Sequence, residues 1–502
     1  MQDDGYLRDS ALAPALGSTT LQLDTGRDVR VDVLSATRQG DSVRVVLAVL
    51  PTVEDASVLL GHALTEPRST GIRRAFDVSG LTLLDTAGQT AYGVERDASG
   101  RCLCSQQTGA AGGGGRTLLV WADLTAPPAG VQTVDVALPT APPVEKVPLS
   151  STPPPPPVGP VRWTPSGPPP QQPGAGAAQR PVLPLSTRTV DLLGVTRQQS
   201  QASEEVSLPA DVLFAKDSAV LSPRARQTIA GIAAQLRTRA AGQRVKVVGH
   251  TDDLGSAQHG LVLSRQRAAA VVSALTPQLA GTGITLVPSG VGEADPLVPN
   301  RDANGNAIPA NQARNRRVAV VFTPKAPPSP TPAAGSATAA PPLKDLHRAT
   351  PAPSGGGAPG AIASAVTTID GDVLRADVVR AERVDAYVRV DVVASLVSAA
   401  DGGDVSRRWG VDTKVFGAND NPGGVNESLT GTRLVDPSGI AYEVVQEPGS
   451  VCVCSTSLGA GQLRRDQPLH LYGYFAAPPA AVGAVTLRLG RFGDLVGVPL
   501  SG

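Results

Sequence analysis

Two runs of proline decide how this chain can fold. Between Pro139 and Pro184 it contains PPPPP and GPPPQQPGAGAA; between Pro324 and Pro359 it reads PKAPPSPTPAAGSATAAPP and PAPSGGGAPG. Proline removes a backbone donor and fixes φ, and the small residues around it offer little to bury, so neither run can make a core. Both read as extended, semi-rigid spacers, at 139–185 and 325–363. They divide the 502 residues into blocks at 15–150, 186–324 and 364–502, the three or so domains that such a length suggests. Spacers of this composition occur where a protein crosses a wall or matrix, and also as plain interdomain tethers.

The outer blocks resemble each other. LTLLDTAGQTAYGV (81–94) matches TRLVDPSGIAYEVV (432–445), and CLC (102–104) matches CVC (452–454). ADLTAPPAGVQTVDVAL (122–138) matches GYFAAPPAAVGAVTLRL (473–489), and VPLS occurs at 147–150 and 498–501. Four matches in one order mark an internal duplication. VRVVLAV (43–49) and YVRVDVV (387–393) are β-branched runs, with DTAGQ and DPSG as turn signals, and no helical period stands out. Each repeat is expected to be an all-β, immunoglobulin-like sandwich.

The four cysteines occur only in those two Cys-x-Cys pairs. On a flat strand such residues lie about 6.5–7 Å apart at Cα, the upper limit for a disulfide. A bulge would bring them into range. The expected pairs are Cys102 with Cys104 and Cys452 with Cys454, in an oxidising compartment. Reduced strand thiols, or one zinc site shared by all four, are the other readings.

The middle block mixes helix and strand. EVSLPADVLFA (205–215) reads as a strand ending at Phe214, followed by a helix with Ser222 as N-cap and Pro223 at its first position. RVKVVGHTD (244–252) is a strand, LVLSRQRAAAVVSAL (261–275) a helix, and ITLVPSGVG (284–292) and RRVAVVFTP (316–324) are strands. The order β-α-β-α-β-β implies an α+β sandwich with helices on one face. At about 100° per residue, Arg265, Gln266, Ser273 and Thr276 share one arc of the second helix. Arg267 falls on the other side, among Leu263, Ala270, Val271 and Ala274. An inward guanidinium needs an anionic partner, which Asp252 in the preceding loop can supply; an arginine snorkelling at the helix edge is the plainer reading.

These residues carry a resemblance to the C-terminal domain of the outer-membrane protein A family, called OmpA-like. Its pattern is Thr-Asp-x-x-Gly, then Leu-Ser-x-x-Arg-Ala-x-x-Val, then Asn-Arg-Arg-Val. Here these stand as Thr251-Asp252-Asp253-Leu254-Gly255, Leu263-Ser264-Arg265-Gln266-Arg267-Ala268-Ala269-Ala270-Val271 and Asn315-Arg316-Arg317-Val318. The resemblance covers the middle block alone. It implies non-covalent binding of peptidoglycan, with Asp252 and Arg267 holding the diaminopimelate of the stem peptide, and Thr251, Leu263, Asn315 and Arg316 or Arg317 around it. The free end of diaminopimelate bears an ammonium, which suits a carboxylate, and a carboxylate, which suits a guanidinium fork. One departure is Gly260, where the family usually has Asn; neighbouring His259 could replace that amide in part. Asp253 has no assigned ligand and is expected to face solvent.

Lys+Arg and Asp+Glu are both 44, which argues against bulk binding to nucleic acid or anionic lipid. No run approaches the roughly 18 apolar residues of a membrane helix, and no apolar signal-peptide core stands near the start. Met1 is the only methionine, as expected if it heads a shortened chain that has lost an export signal or a lipid-modified cysteine. Any membrane anchor would then lie outside this sequence. The reading is an extracytoplasmic cell-envelope protein that binds peptidoglycan, needs no cofactor, is not an enzyme, and whose repeats bind an unidentified protein partner. The competing readings are a β-sandwich adhesion or scaffold protein with a structural middle domain, favoured by Gly260, and a metal-dependent hydrolase using His250, Asp252 and Asp253.

Overall fold

Valine-rich runs interrupted by two-residue turns build a long hairpin in each outer block. In the computed structural model Asp28–Gln39 pairs with Ser42–Leu50, and Asp372–Val384 with Tyr387–Ser398. The structure describes residues 12–22, 28–50, 63–65, 76–107, 117–153, 169–302, 304–325, 348–352, 357–406, 415–416, 429–448, 451–455, 463–465 and 467–502, with the short strands Gln2–Asp3, Tyr6–Leu7 and Arg162–Trp163.

Each repeat has two sheets around one core. In repeat 1 the first sheet runs Gly17–Gln22, Asp28–Gln39, Ser42–Leu50, Leu118–Thr125, with Arg162–Trp163 parallel at its edge. The second runs Ala141–Pro148, Thr133–Leu138, Thr82–Asp85, Thr90–Gly93, Val182–Pro184. Val31, Val45, Leu47 and Val120 from the first meet Leu83, Tyr92, Val136 and Val147 from the second. Repeat 2 has the same order: Ala363–Ile369, Asp372–Val384, Tyr387–Ser398, Leu469–Ala476 against Asp494–Pro499, Ala484–Arg488, Arg433–Val435, Ala441–Glu443. Among the described residues neither repeat contains an α-helix.

The duplication extends to side-chain networks that the sequence comparison missed. Ser18 and Arg30 both bind Asp32, as Ser364 and Arg375 bind Asp377. Arg38 donates to the carbonyls of Pro127, Pro128 and Val131; Arg383 donates to those of Pro478, Pro479 and Val482. Both arginines serve the same need: an APP turn has carbonyls but few N–H donors to satisfy them, and a guanidinium fork supplies several at once.

The sulfurs of Cys102 and Cys104, and of Cys452 and Cys454, are joined. Their Cα atoms are 5.3 and 5.2 Å apart, inside the range for a disulfide. Cys102 and Cys104 make isolated bridges, to Arg96 and Ala122; Cys452 ends the short strand Val451–Cys452, and Cys454 makes an isolated bridge to Gly473.

The segment 139–185 departs from the spacer expected of it. Ala141–Pro148 is the edge strand of repeat 1, where prolines are tolerated because one side needs no donors. Residues 169–184 lie along repeat 1. Gly174 N donates to Asp123 Oδ2 at 2.8 Å, Arg180 Nε lies 3.1 Å from Glu95 Oε1, and Val182–Pro184 pairs with Thr90–Gly93. The outer blocks, remote in sequence, pack on each other. Leu84, Ala137, Tyr387, Tyr472 and Tyr474 share a buried cluster, Glu145 binds Arg380 and Arg389, and Tyr474 donates to Asp135 Oδ2 at 2.9 Å.

The middle domain contains β1 (Thr187–Val190), β2 (Thr196–Gln199), β3 (Glu204–Pro209), α1 (Ala210–Leu213), α2 (Pro223–Arg239), β4 (Arg244–His250), α3 (Ala257–Leu275), β5 (Thr285–Gly292), α4 (Pro309–Asn315) and β6 (Arg317–Phe322). The sheet order is β5-β4-β6-β3-β2-β1, and β1 pairs onward with Ala441–Glu443 of repeat 2. Helices α2 and α3 cover one face, burying Ile229, Leu236, Val271 and Leu275 against Val206, Val247, Val318 and Val320. Ser222 caps α2 by accepting from Ala225 N at 3.1 Å, and Ser256 caps α3 by accepting from His259 N at 3.2 Å. Three elements differ from the expected β-α-β-α-β-β order. The β1–β2 hairpin is additional, turned by Asp191 Oδ1 accepting from Leu193 and Val195. The strand expected to reach Phe214 stops at Pro209 and turns into α1, and α4 precedes the last strand.

Candidate functional site

The site forms where the loop after β4 meets α1, the third turn of α3 and the α4–β6 junction. Thr251 and Asp252 leave the end of β4 and are buried. Thr251 N donates to Gly292 O at 2.9 Å, which fixes the loop to β5. Leu254 N donates to Asp252 Oδ1 at 3.2 Å, which sets the direction of the carboxylate.

Arg267 points inward, as the helical arc requires, and is 4% exposed. Its Nε donates to Ser218 O at 3.0 Å and its guanidinium carbon lies 5.3 Å from the centre of the Phe214 ring. The stem is therefore held from two sides, while its two terminal nitrogens make no hydrogen bond among the described residues. Burial lowers its pKa, and Asp211, Asp217 and Asp252 act against that shift. Leu263, 7% exposed, packs one helical turn earlier.

The partner of Asp252 in the structure is Arg316, not Arg267. Arg316 Nη1 lies 2.7 Å from Asp252 Oδ2, and its Nε and Nη2 lie 3.1 and 2.6 Å from the two oxygens of Asp211. Hydrogen bonding to Asp211, and then to Asp252, raises the Arg316 pKa despite burial. Asp211 is not legible as a site group in the sequence, because residues 205–215 read as one continuous strand, and the Ser218 carbonyl is not because a backbone group leaves no residue signal; the turn at Pro209 brings Asp211 round to face Arg316.

The other expected residues have different surroundings. Asn315 is fully buried and staples the 298–300 loop: it accepts from Val298 N at 3.1 Å and donates to Val298 O at 2.7 Å and Asn300 Oδ1 at 2.8 Å. Arg317 turns away from Arg316, into the space beside His250 and Asp295, where its Nη2 donates to Asp295 O at 3.4 Å. Burial, then Arg317, pushes the His250 pKa down to about 4. Asp253 is not a free solvent-facing carboxylate. Arg301 Nε lies 2.6 Å from Oδ2 and Gln312 Nε2 donates to Oδ1 at 2.8 Å. Burial would raise its pKa, but these two hydrogen bonds outweigh that and lower it. His250, Asp252 and Asp253 thus turn toward three different partners rather than toward one ion.

Gly260 lies in the first turn of α3, beside Thr251. A Cβ there would stand 2.9 Å from Thr251 Oγ1, an atom that is buried without a hydrogen-bond partner among the described residues. The place usually held by an asparagine amide is thus an approach of backbone to hydroxyl. His259 stands off at the rim, half exposed, with Nε2 3.9 Å from Asp217 Oδ1.

An acidic loop after a central strand, an inward arginine on the following helix, and a β-α-β-α-β-β core within a helix-covered sheet define an OmpA-like domain. The chain belongs to the OmpA family, whose family model matches residues 213–309. Two Escherichia coli (strain K12) proteins, both named as lipoproteins, are similar to it. YfiB is 31% identical over 152 residues, 30% of this chain and 88% of YfiB. YiaD is 33% identical over 132 residues, 26% of this chain and 56% of YiaD, so the chain spans little more than half of that relative. Among solved structures, the cell wall anchor of the T6SS from Pseudomonas aeruginosa is 25% identical, with 26% of this chain and 88% of that chain covered at a TM-score of 0.22.

Proposed function

We propose that this is a cell-envelope protein that binds peptidoglycan non-covalently through the free end of diaminopimelate. The observation that carries the proposal is the state of Arg267. It is buried, braced by Ser218 O and the Phe214 ring, and its two terminal nitrogens make no hydrogen bond among the described residues. A braced guanidinium with unused donors suits a ligand carboxylate, because little side-chain freedom remains to be lost on binding. Asp252 keeps acceptor capacity beyond its bonds to Arg316 and Leu254 and takes the ammonium. Thr251 and Leu263 form the walls, Arg316 sets the position of Asp252, and Asn315 and Arg317 shape the loops behind it. In this reading the role is anchoring rather than catalysis.

The names of the relatives, lipoproteins and a cell wall anchor, support an extracytoplasmic location. In this reading the two repeats are immunoglobulin-like sandwiches that present a surface to a protein partner. Among the described residues no helix is long and apolar enough to cross a membrane. The test is co-sedimentation of the full chain with insoluble peptidoglycan. Retention that is lost in Arg267→Ala supports the proposal; an Arg267→Ala variant that stays folded and sediments like the parent overturns it. The scaffold reading rests on Gly260 and the Thr251 hydroxyl beside it, which has no hydrogen-bond partner among the described residues, and predicts no sedimentation of the parent chain.

A further inference from the structure

Four charged groups surround the site: Asp211 and Asp252 on one side of the count, Arg267 and Arg316 on the other. They are not equivalent. Arg316 spends two of its three nitrogens on Asp211, in a fork-to-fork pair at 3.1 and 2.6 Å, and only one on Asp252. Such bidentate pairing is the strongest geometry available to a guanidinium. Asp211 therefore limits Arg316 to one bond with Asp252, at 2.7 Å, from a cation that is also paired elsewhere. Asp217 and His259 lie at the rim; Asp217, 67% exposed against 55% for Asp211, also acts on Arg267, and solvent and salt weaken that influence further than at the hydrogen-bonded Asp211.

We infer that Asp211 is a specificity-determining residue: by occupying the fork of Arg316 it keeps the site net neutral and Asp252 available to a ligand ammonium. This rests on the peptidoglycan reading and names which feature of that ligand the chain selects. With Asp211 present, the four groups sum to zero and complement a zwitterion. With Asp211 neutral, Arg316 is free to close on Asp252 with two bonds. The local charge becomes +1, an ammonium is repelled, and a ligand that offers only carboxylates is favoured. The short helix α1 sets this up, because the turn at Pro209 carries Asp211 out of the sheet and over Arg316.

The experiment uses the full chain and two probes: a stem tripeptide ending in meso-diaminopimelate, and the same peptide with its free amine acetylated. Calorimetric titration gives the ratio of their affinities for the parent, Asp211→Asn and Asp211→Glu. The parent is expected to prefer the free amine. In Asp211→Asn that preference is expected to shrink by roughly tenfold or more, about 1.4 kcal/mol per factor of ten, with the acetylated peptide binding as well as before or better. Asp211→Glu restores the charge and is expected to keep most of the preference. Asp211 is more than half exposed, so Asn in its place tests charge rather than folding, and a melting curve on each variant checks this. If the parent prefers the free amine and Asp211→Asn keeps that preference unchanged, the inference is wrong while the peptidoglycan reading stands. If the parent binds neither peptide, the peptidoglycan reading falls and takes the inference with it.

Discussion

Arg316 Nη1 sits 2.7 Å from Asp252 Oδ2, while Arg267, on the opposite wall, donates to Ser218 O instead of to that carboxylate. The free site is therefore not a closed Asp252–Arg267 pair that a ligand must break. Its acid is steadied by one arginine and its binding arginine is steadied by a carbonyl and a ring. A ligand with both charges can enter without first separating Asp252 from Arg267.

Asp252→Ala and Arg267→Ala are each expected to abolish retention on peptidoglycan. Losing one partner of a desolvated charge pair costs roughly 2–5 kcal/mol, thirtyfold or more in affinity. Because Arg267 is not the partner of Asp252 in the free state, Arg267→Ala is expected to unfold within a few degrees of the parent. Co-sedimentation with parallel melting curves measures both.

Arg265→Ala is the neutral control, since Arg265 lies on the exposed arc of α3. Asp253→Ala is not neutral. It removes the acceptor for both Arg301 and Gln312 and is expected to cost about 1 kcal/mol per hydrogen bond lost, reduced by solvent at the exposed Arg301. Chemical denaturation should show a lower midpoint for Asp253→Ala and none for Arg265→Ala.

Asn315→Ala strands the amide and carbonyl of Val298 in a buried place. Each unsatisfied buried group costs about 1–3 kcal/mol, so this variant is expected to lose more stability than any single ligand-contact variant. Hydrogen exchange should show the gain in opening concentrated at residues 298–300.

His250 makes stability depend on acid. Its folded pKa of about 4 lies below the ordinary 6.5, so between these values the unfolded chain binds a proton that the folded one refuses. The contribution is fully present above pH 6.5 and is lost as the pH falls toward 4, amounting to roughly 3 kcal/mol at about 1.4 kcal/mol per unit. His250→Gln is expected to flatten the melting temperature across that window relative to the parent. An unchanged slope would assign it to carboxylates instead.

No cysteine is free in the structure. Protein exported by its native host is expected to resist alkylation until reduced, then to take up four alkyl groups by intact mass. The loops closed are very short, so reduction is expected to lower the melting temperature only modestly.

The sequence by itself determined the local and periodic features. The helical arc turned Arg267 inward, Ser222 and Pro223 started α2, four ordered matches marked the repeat, and the Thr-Asp loop and Asn-Arg-Arg-Val run carried the family resemblance. These depend on backbone period, capping and short motifs, which neighbouring residues specify. Tertiary structure decided what touches what. Arg316 rather than Arg267 meets Asp252, Asp211 joins the site from a segment that reads as strand, and Asn315 serves a loop rather than the ligand. It also laid 169–184 along repeat 1 and brought Glu145 to Arg389 across more than two hundred residues. Proline and glycine content reports that a segment cannot form its own core, but an extended segment can still complete the edge of a neighbouring sheet. Partner choice among charged side chains depends on distances between elements far apart in the chain, and no local pattern encodes them.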